Sequence, residues 1–349
     1  MNRVRLSSIT DLDALPYDEV IDVRSPSEYL DDHIPGAVNL TVLDDEERAR
    51  VGTTYVQQSK FLARRMGAAL VSRNAARHLE NYLADKPADY RPLVYCWRGG
   101  QRSGSFAMIL GQIGWQVGII EGGWKSWRRL VQRAVYETPF PAPVAILDGN
   151  TGTAKTEILA RVRARGGQVI DLESLARHRG SLFGLAPGVV QPTQKAFESA
   201  LAVEIARLDP SRPVLIEAES NRIGALRVPP SVWQAMQSAP RIEVQAPLSA
   251  RAEWLTKAYA DITQNPAELA TRIDALAPYQ PRAMIDEWHA MAASGAFADL
   301  AASLMAEHYD PRYARTKLRQ NGNPEILETA SLDDAALDTM ADRLTYRLR

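Results

Sequence analysis

Short runs of β-branched and other apolar residues recur along the chain, separated by longer stretches of helical character. Four such runs occupy the first part: Val20–Val23, Ala37–Leu40, Leu93–Tyr95 and Val117–Ile120. Runs of this length bounded by turn residues predict buried strands. Between the second and third, the segment from Ser59 to Ala84 predicts a helix carrying Arg64, Arg65, Arg73 and Arg77. The pattern breaks at Glu137-Thr-Pro-Phe-Pro-Ala-Pro143, where three prolines in seven residues fix φ and remove amide donors, predicting an extended linker. Past it the alternation restarts with a strand at Val144–Leu147, a glycine-containing loop, and a helix from about Lys155. Apolar stretches follow at Val169–Ile170, Val214–Ile216 and Ile242–Val244. Such alternation predicts α/β units, parallel sheets covered by helices. From about Ala250 the chain reads as mostly helical and closes in a polar tail. The predicted division is 1–136, a linker at 137–143, 144–313 and a tail at 314–349.

Composition narrows the picture. A chain of 349 residues suits two domains, and 46% hydrophobic with 24% charged residues is ordinary globular usage. The formal net charge of −1 argues against a general nucleic-acid coat, though a local basic patch could still hold RNA. Candidate basic groups are the helical arginines above, the run Lys125, Arg128, Arg129 and Arg133, and Arg312, Arg315 and Lys317. Each is also what a solvated helix face looks like. No apolar run approaches the roughly 18 residues of a membrane span, and the N-terminus lacks a signal-like apolar core, so the expected location is the cytoplasm. Cys96 is the single cysteine, which rules out an internal disulfide and a cysteine-rich zinc site. Any persulfide or perselenide formed on it must pass to a bound acceptor or an external thiol.

The strand Leu93–Tyr95 runs directly into Cys96-Trp-Arg-Gly-Gly-Gln-Arg-Ser103 and then a helix. Ligands of parallel sheets sit beyond the carboxyl ends of strands. Gly99 and Gly100 permit a tight loop whose amides point at one anion, with Trp97, Gln101 and Ser103 completing the cradle. The helix N-terminus and the charges of Arg98 and Arg102 favour a thiolate over a thiol, making Cys96, Arg98 and Arg102 the catalytic candidates. A buried structural cysteine at a strand end is the bland alternative. Trp97 could stack on a base or simply pack the loop.

A second loop, Gly149-Asn150-Thr151-Gly152-Thr153-Ala154-Lys155-Thr156, follows an apolar strand and opens a helix, the setting of a Walker A phosphate loop. Its amides would surround phosphate oxygens, Lys155 would reach them, and Thr156 could bind Mg²⁺. Ala154 stands where the pattern has its second glycine, and its Cβ is expected to crowd the loop. Glu217 and Glu219, two apart after an apolar strand, would share a face if the strand stays regular that far. Arg177, His178 and Arg179 suit phosphate or RNA-backbone contact. Exposed surface carboxylates and a solvated loop are the competing readings.

Cys96 with Arg102 six positions on resembles the active-site loop of the rhodanese family. Ile21-Asp-Val-Arg-Ser-Pro-Ser-Glu-Tyr29, His33-Ile-Pro-Gly-Ala-Val-Asn-Leu40 and Glu121-Gly-Gly-Trp-Lys-Ser-Trp127 resemble that family's other signatures, in order. Asp22 and Arg24 are expected to serve structure. With the phosphate loop added, the whole chain resembles the bacterial tRNA 2-selenouridine synthase family. Asp171-Leu-Glu173, Arg177-His-Arg-Gly-Ser181 with Phe183-Gly184, Glu217-Ala-Glu-Ser220 with Ile223-Gly224, and His308-Tyr-Asp-Pro311 with Tyr313 extend the likeness. The resemblance implies a rhodanese-like domain followed by a P-loop NTPase-like domain with a helical C-terminal segment. It implies a selenotransferase acting on wobble 2-thiouridine of tRNA, with S-geranylation from geranyl diphosphate and then selenium from selenophosphate through Cys96. It implies no covalently bound cofactor, and a prenyl diphosphate as a plausible guest of the Gly149–Thr156 loop in place of a nucleotide. Two other readings stay open: a thiosulfate-type sulfurtransferase regulated by its P-loop domain, and a scaffold that docks tRNA for another enzyme.

Overall fold

Five short strands, β1 (Asn2–Val4), β2 (Glu19–Asp22), β3 (Val38–Asn39), β4 (Pro92–Tyr95) and β5 (Gly118–Ile120), form a parallel sheet in the order β1-β5-β4-β2-β3. All four residues of β4 are buried, as expected of a central parallel strand covered on both faces. Its carboxyl end delivers Cys96. The molecule is a computed structural model describing residues 2–179, 184, 188–317 and 323–348, with 315–317 as backbone only. Gly180, Ser181 and Phe183, and the side chains of Arg315 and Lys317, therefore lie outside the described residues.

The chain divides into two compact units, Met1–Pro139 with Pro192–Arg207, and Phe140–Gln191 with Leu208–Arg349. The first change of unit falls within the proline-rich stretch. The sequence division kept 144–313 together, whereas the helix Gln194–Ala206 groups with the first unit. That helix buries Phe197, Leu201, Ala202 and Ile205. Its polar residues are pinned too: Glu198 accepts from Arg128 and from the Tyr136 hydroxyl, and Ser199 accepts from Trp127 Nε1 at 3.3 Å. Hydrophobic spacing announces such a helix but not the sheet it serves.

In the second unit the strands β6 (Val144–Gly149), β7 (Gln168–Ile170) and β8 (Val214–Glu217) are followed by a small antiparallel hairpin, β9 (Arg222–Ile223) and β10 (Leu226–Arg227). β11 (Arg241–Gln245) and β12 (Glu325–Glu328) then complete a parallel sheet of order β12-β11-β6-β8-β7. β6 is central and hands the chain to the phosphate loop. The residues expected to form a polar tail contain β12 and the helix Asp334–Arg347. Leu337, Met340, Ala341 and Leu344 of that helix pack with Ile158, Leu159 and Val162 of the helix Lys155–Ala164. The tail is core. The helices between Leu248 and Leu304 build a separate apolar cluster around Ile262, Leu269, Ile273, Trp288 and Leu300. Among the described residues no helix is long and apolar enough to cross a membrane.

Candidate functional site

Cys96 is buried, 4% exposed, and its Sγ accepts hydrogen bonds from the Gly100 amide at 3.3 Å and the Ser103 hydroxyl at 3.2 Å. Gly100 caps the helix Gln101–Ile113, so the thiol lies where helix-terminal donors converge. The loop is fixed from behind. The Cys96 carbonyl accepts from Trp124 N at 2.8 Å and the Trp97 carbonyl from Lys125 N at 3.1 Å, both at the start of the helix Gly123–Gln132. Gly123 has φ +54°, and a Cβ there would collide with the Cys96 carbonyl. The Gly-Gly-Trp signature is thus the backing of the cysteine loop. Trp97 stacks on Trp124 with centroids 4.5 Å apart, so it packs the loop.

The two loop arginines differ. Arg98 is exposed and has no ion-pair partner among the described residues. Arg102, expected as a cradle charge, is held by Glu28 through contacts of 2.5 and 3.2 Å, and Glu28 also meets Arg48 at 3.1 Å. Burial works to raise the Glu28 pKa, but the Arg102 hydrogen bond and charge outweigh it and hold the carboxyl down at about 2. Sequence reasoning missed Glu28; its visible signal was the capping box it forms with Ser25. Asp22 and Arg24 form a buried pair at 2.6 Å, with Arg24 also donating to the Asp32 carbonyl. Their role is to brace the loops.

The phosphate loop of the second unit opens at Gly149, φ +152°, where a Cβ would come within 2.6 Å of Thr153 Oγ1. Gly152 has φ +85° and lies against Arg251. Ala154 adopts φ 57°, ψ 27°, a left-handed conformation that costs an L-residue roughly 1 kcal/mol or more. Ala154 is buried, in the cluster of Ile158, Leu159 and Val162. Lys155 Nζ donates back to the Gly149 carbonyl at 2.8 Å and lies 6.0 Å from the Tyr313 ring centre. Burial acts to lower the Lys155 pKa, and the charges of Tyr313, Glu173, Glu219 and Asp148 outweigh it, so the lysine is a cation. Two connections tie the loop to the helical segment. Arg251 donates to the Thr151 carbonyl and pairs with Asp310 at 2.7 Å, and Asn150 donates to Asp310 at 3.1 Å.

Beside the loop runs a groove of about 750 Å³ lined by residues 151–157, Glu173, Arg177, His178, Arg179 and Tyr313. The structure thus brings the Arg177–Arg179 cluster to the phosphate loop. Arg177 is exposed, while Arg179 pairs with Asp261 at 3.1 Å and covers the Tyr259 ring. Burial, followed by the charge of Arg272, lowers the His178 pKa and keeps the ring neutral. β8 ends at Glu217, so Glu219 lies beyond the regular strand. Glu173 links the two, its amide donating to Glu217 Oε1 at 2.5 Å and its carboxyl bonding Glu219. Burial is the main cause that raises the pKa values of all three. Glu217, 1% exposed, leaves Oε2 with no hydrogen-bond partner among the described residues.

For Mg²⁺ the oxygen donors are of the right hard type: Thr156 Oγ1 is exposed and 3.5 Å from Glu173 Oε2. Among the described residues no group of three or more His, Cys, Asp or Glu is gathered to hold a metal, so any ion would rely on phosphate oxygens and water for most of its shell.

A donor-lined thiol at the end of one parallel sheet and a phosphate loop at the end of another define a rhodanese-like unit joined to a P-loop unit. Residues 8–130 match the rhodanese-like domain family, and residues 142–282 match the tRNA 2-selenouridine synthase AAA domain. The chain is 34% identical over 327 residues to the tRNA 2-selenouridine synthase of Cupriavidus necator, covering 84% of this chain and 87% of that protein. With the enzyme of that name from Alcanivorax borkumensis it shares 31% over 332 residues, 87% of this chain and 90% of the relative. With that of Chromohalobacter salexigens the identity is 38% over 243 residues, 69% of this chain but only 65% of the relative's length, under two thirds. The chain belongs to the tRNA 2-selenouridine synthase family.

Proposed function

We propose that the chain is a tRNA-modifying transferase that converts wobble 2-thiouridine to 2-selenouridine. The thio sulfur attacks C1 of geranyl diphosphate, the carbon–oxygen bond breaks, diphosphate leaves, and the base gives up its N3 proton. Selenophosphate seated at the Cys96 loop then attacks C2 through its selenium, the C2–S bond breaks and geranylthiolate leaves as the thiol after taking a proton from water. Water cleaves the Se–P bond to release phosphate and restore the N3 proton of the 2-selenouridine. Alkylation turns the sulfur into a better leaving group, which is the chemical reason for the first step.

The observation that carries this reading is the setting of Cys96, whose sulfur receives an amide and a hydroxyl donor already in place. Preorganised donors favour an anionic sulfur or selenium without reorganisation. Arg98, exposed beside them, is available to an anionic selenium donor such as selenophosphate. In the second unit a diphosphate replacing the Gly149 carbonyl at Lys155 Nζ gains a charge-assisted contact. Mg²⁺, held through Thr156 and the phosphate oxygens, would supply further charge neutralisation for the leaving diphosphate. The family's name supports tRNA as the acceptor.

The test uses an anticodon stem-loop carrying 2-thiouridine with geranyl diphosphate and selenophosphate. Cys96→Ser is expected to stop at the S-geranyl product, and Lys155→Ala to form neither product. Selenation by Cys96→Ser at the parent rate sinks the reading. Cyanide-dependent sulfur transfer with no change to the RNA would favour a thiosulfate-type sulfurtransferase instead.

A further inference from the structure

The second unit contains a space that neither loop chemistry explains. It lies among the helices Leu248–Ala258, Ala260–Thr263, Pro266–Asp274 and Phe297–Leu304, and its lining includes Leu255, Ile262, Leu269, Phe297, Leu300 and Leu304. Ile262, Leu269, Leu300 and Leu304 are each less than a tenth exposed, so the lining is mostly hydrocarbon, with Thr256, Thr263 and Tyr309 as its further hydroxyl-bearing members. Thr151, Leu255 and Tyr259 line both this cavity and the phosphate groove, so the two spaces adjoin at these residues. The junction is braced: Arg251 holds the Thr151 carbonyl, and Arg179 covers the Tyr259 ring.

We infer that this cavity seats the hydrocarbon chain of the diphosphate donor and that its small size limits the chain length accepted. The inference rests on the proposed prenyl diphosphate reading and adds where the chain lies. A nucleotide would have to place a base edge with several donors and acceptors against Ile262, Leu269, Leu300 and Leu304, which can satisfy none of them. An alkenyl chain has no such groups to satisfy. The charged end belongs at Lys155 and the apolar end points past Thr151 and Leu255. The cavity is about 70 Å³, roughly half the ~150 Å³ engineered space that takes a benzene ring. It therefore holds the far end of a chain whose nearer carbons lie along the shared groove. A ten-carbon chain is accommodated in this way, and a fifteen-carbon chain has no room for its last unit.

The experiment compares full-length wild type, Ala301→Phe, which fills the cavity from its wall, and Leu300→Ala, which widens it. Binding of inorganic diphosphate and of C5, C10 and C15 prenyl diphosphates is measured, together with prenyl transfer to the 2-thiouridine stem-loop. Wild type is expected to prefer C10 over C15 by tenfold or more. Ala301→Phe should weaken C10 binding at least tenfold while leaving inorganic diphosphate within twofold, and Leu300→Ala should narrow the C10 to C15 preference. Because either variant could fold poorly, a diazirine-tipped C10 diphosphate is also photolysed on wild type, with labelling expected in 255–274 or 297–305. Wild type that transfers prenyl groups but labels elsewhere, or Ala301→Phe that binds C10 like the parent, overturns the placement alone. Wild type that binds C10 diphosphate no better than inorganic diphosphate and transfers nothing overturns the donor reading itself.

Discussion

Arg102 and Glu28 hold each other through two contacts, Nη1 to Oε2 at 2.5 Å and Nη2 to Oε1 at 3.2 Å. The arginine that marks the cysteine loop in sequence therefore reaches it already partnered, and Arg48 shares the same carboxylate. Two cations against one anion leave a net positive charge on this three-residue cluster, which meets the helix that follows the thiol at Arg102.

Replacing Glu28 by Gln preserves a side chain that can cap its helix and removes the neutralising charge. Cys96 should then react with iodoacetamide faster at neutral pH, by about two- to fivefold, the scale of a partly screened charge. An unchanged rate would mean that Arg102 does not act on the sulfur through its charge. The acid limb has a definite sign. The Glu28 pKa is depressed to about 2 from the ordinary 4.5, so its stabilisation is complete above the unfolded pKa and lost as pH falls between these values. Glu28→Gln should flatten that loss in acid-denaturation curves.

Gly123→Ala tests the backing of the loop. The residue sits at φ +54° with no space for a Cβ against the Cys96 carbonyl. Strain and displacement together should cost about 3 kcal/mol or more, lowering the thermal midpoint and changing the Cys96 alkylation rate. Gly114→Ala is the control. It also has positive φ but nothing near its Cβ, so it should carry the strain penalty without moving the loop.

Ala154→Gly, which restores the second glycine of the phosphate-loop pattern, should be tolerated. Glycine removes a left-handed strain of about 1 kcal/mol but loses a buried methyl and adds unfolded-state entropy, about 0.4–1 kcal/mol for the latter. The net change in denaturant midpoint should be small. A destabilisation above about 2 kcal/mol would show that the methyl's packing with Ile158 and Leu159 dominates.

Glu173 gives a pH signature of the opposite kind. Burial and the neighbouring Glu219 raise its pKa, so it is protonated in the folded unit where the unfolded chain is ionised. The contribution is greatest below the ordinary carboxyl pKa and is lost as pH rises toward the folded value. Glu173→Gln, which keeps a donor and removes the titration, should make the unfolding midpoint less sensitive to pH between 5 and about 8. A slope identical to the parent's would place the proton elsewhere in the Glu173–Glu217–Glu219 group.

What was legible in the sequence follows from burial. Pro92–Tyr95 and Val144–Gly149 are central parallel strands, apolar on both faces and ended by residues that only a ligand loop needs, so both site loops stood out. Partners contributed by distant segments did not. Glu28 reads as a helix cap, and Arg251 as an ordinary helical arginine until Asp310 is beside it. β12 was hidden because an edge strand alternates: of Glu325-Ile-Leu-Glu328 only Leu327 is buried. The last helix was readable, with Leu337, Met340, Ala341 and Leu344 at i, i+3, i+4 and i+7. Surrounding charge disguised that stripe as a polar tail.

That helix supplies the last prediction. Its apolar stripe completes the core beneath the phosphate-loop helix, and Arg161 and Arg165 reach Asp334, Asp338 and Asp342 across the same contact. The ion pairs are solvent-facing on the acidic side, where water screens them and their contribution is small. The buried leucines matter more: Leu337 and Leu344 are 0% and 2% exposed, and truncating such a residue to alanine costs about 2–5 kcal/mol. Leu337→Ala should therefore lower the unfolding midpoint of the P-loop unit far more than Asp338→Ala does. Because the helix Lys155–Ala164 carries Lys155 at its first position, diphosphate binding should weaken in parallel with stability. Equal, small effects from the two substitutions would show that the C-terminal segment is dispensable, as its polar surface suggests.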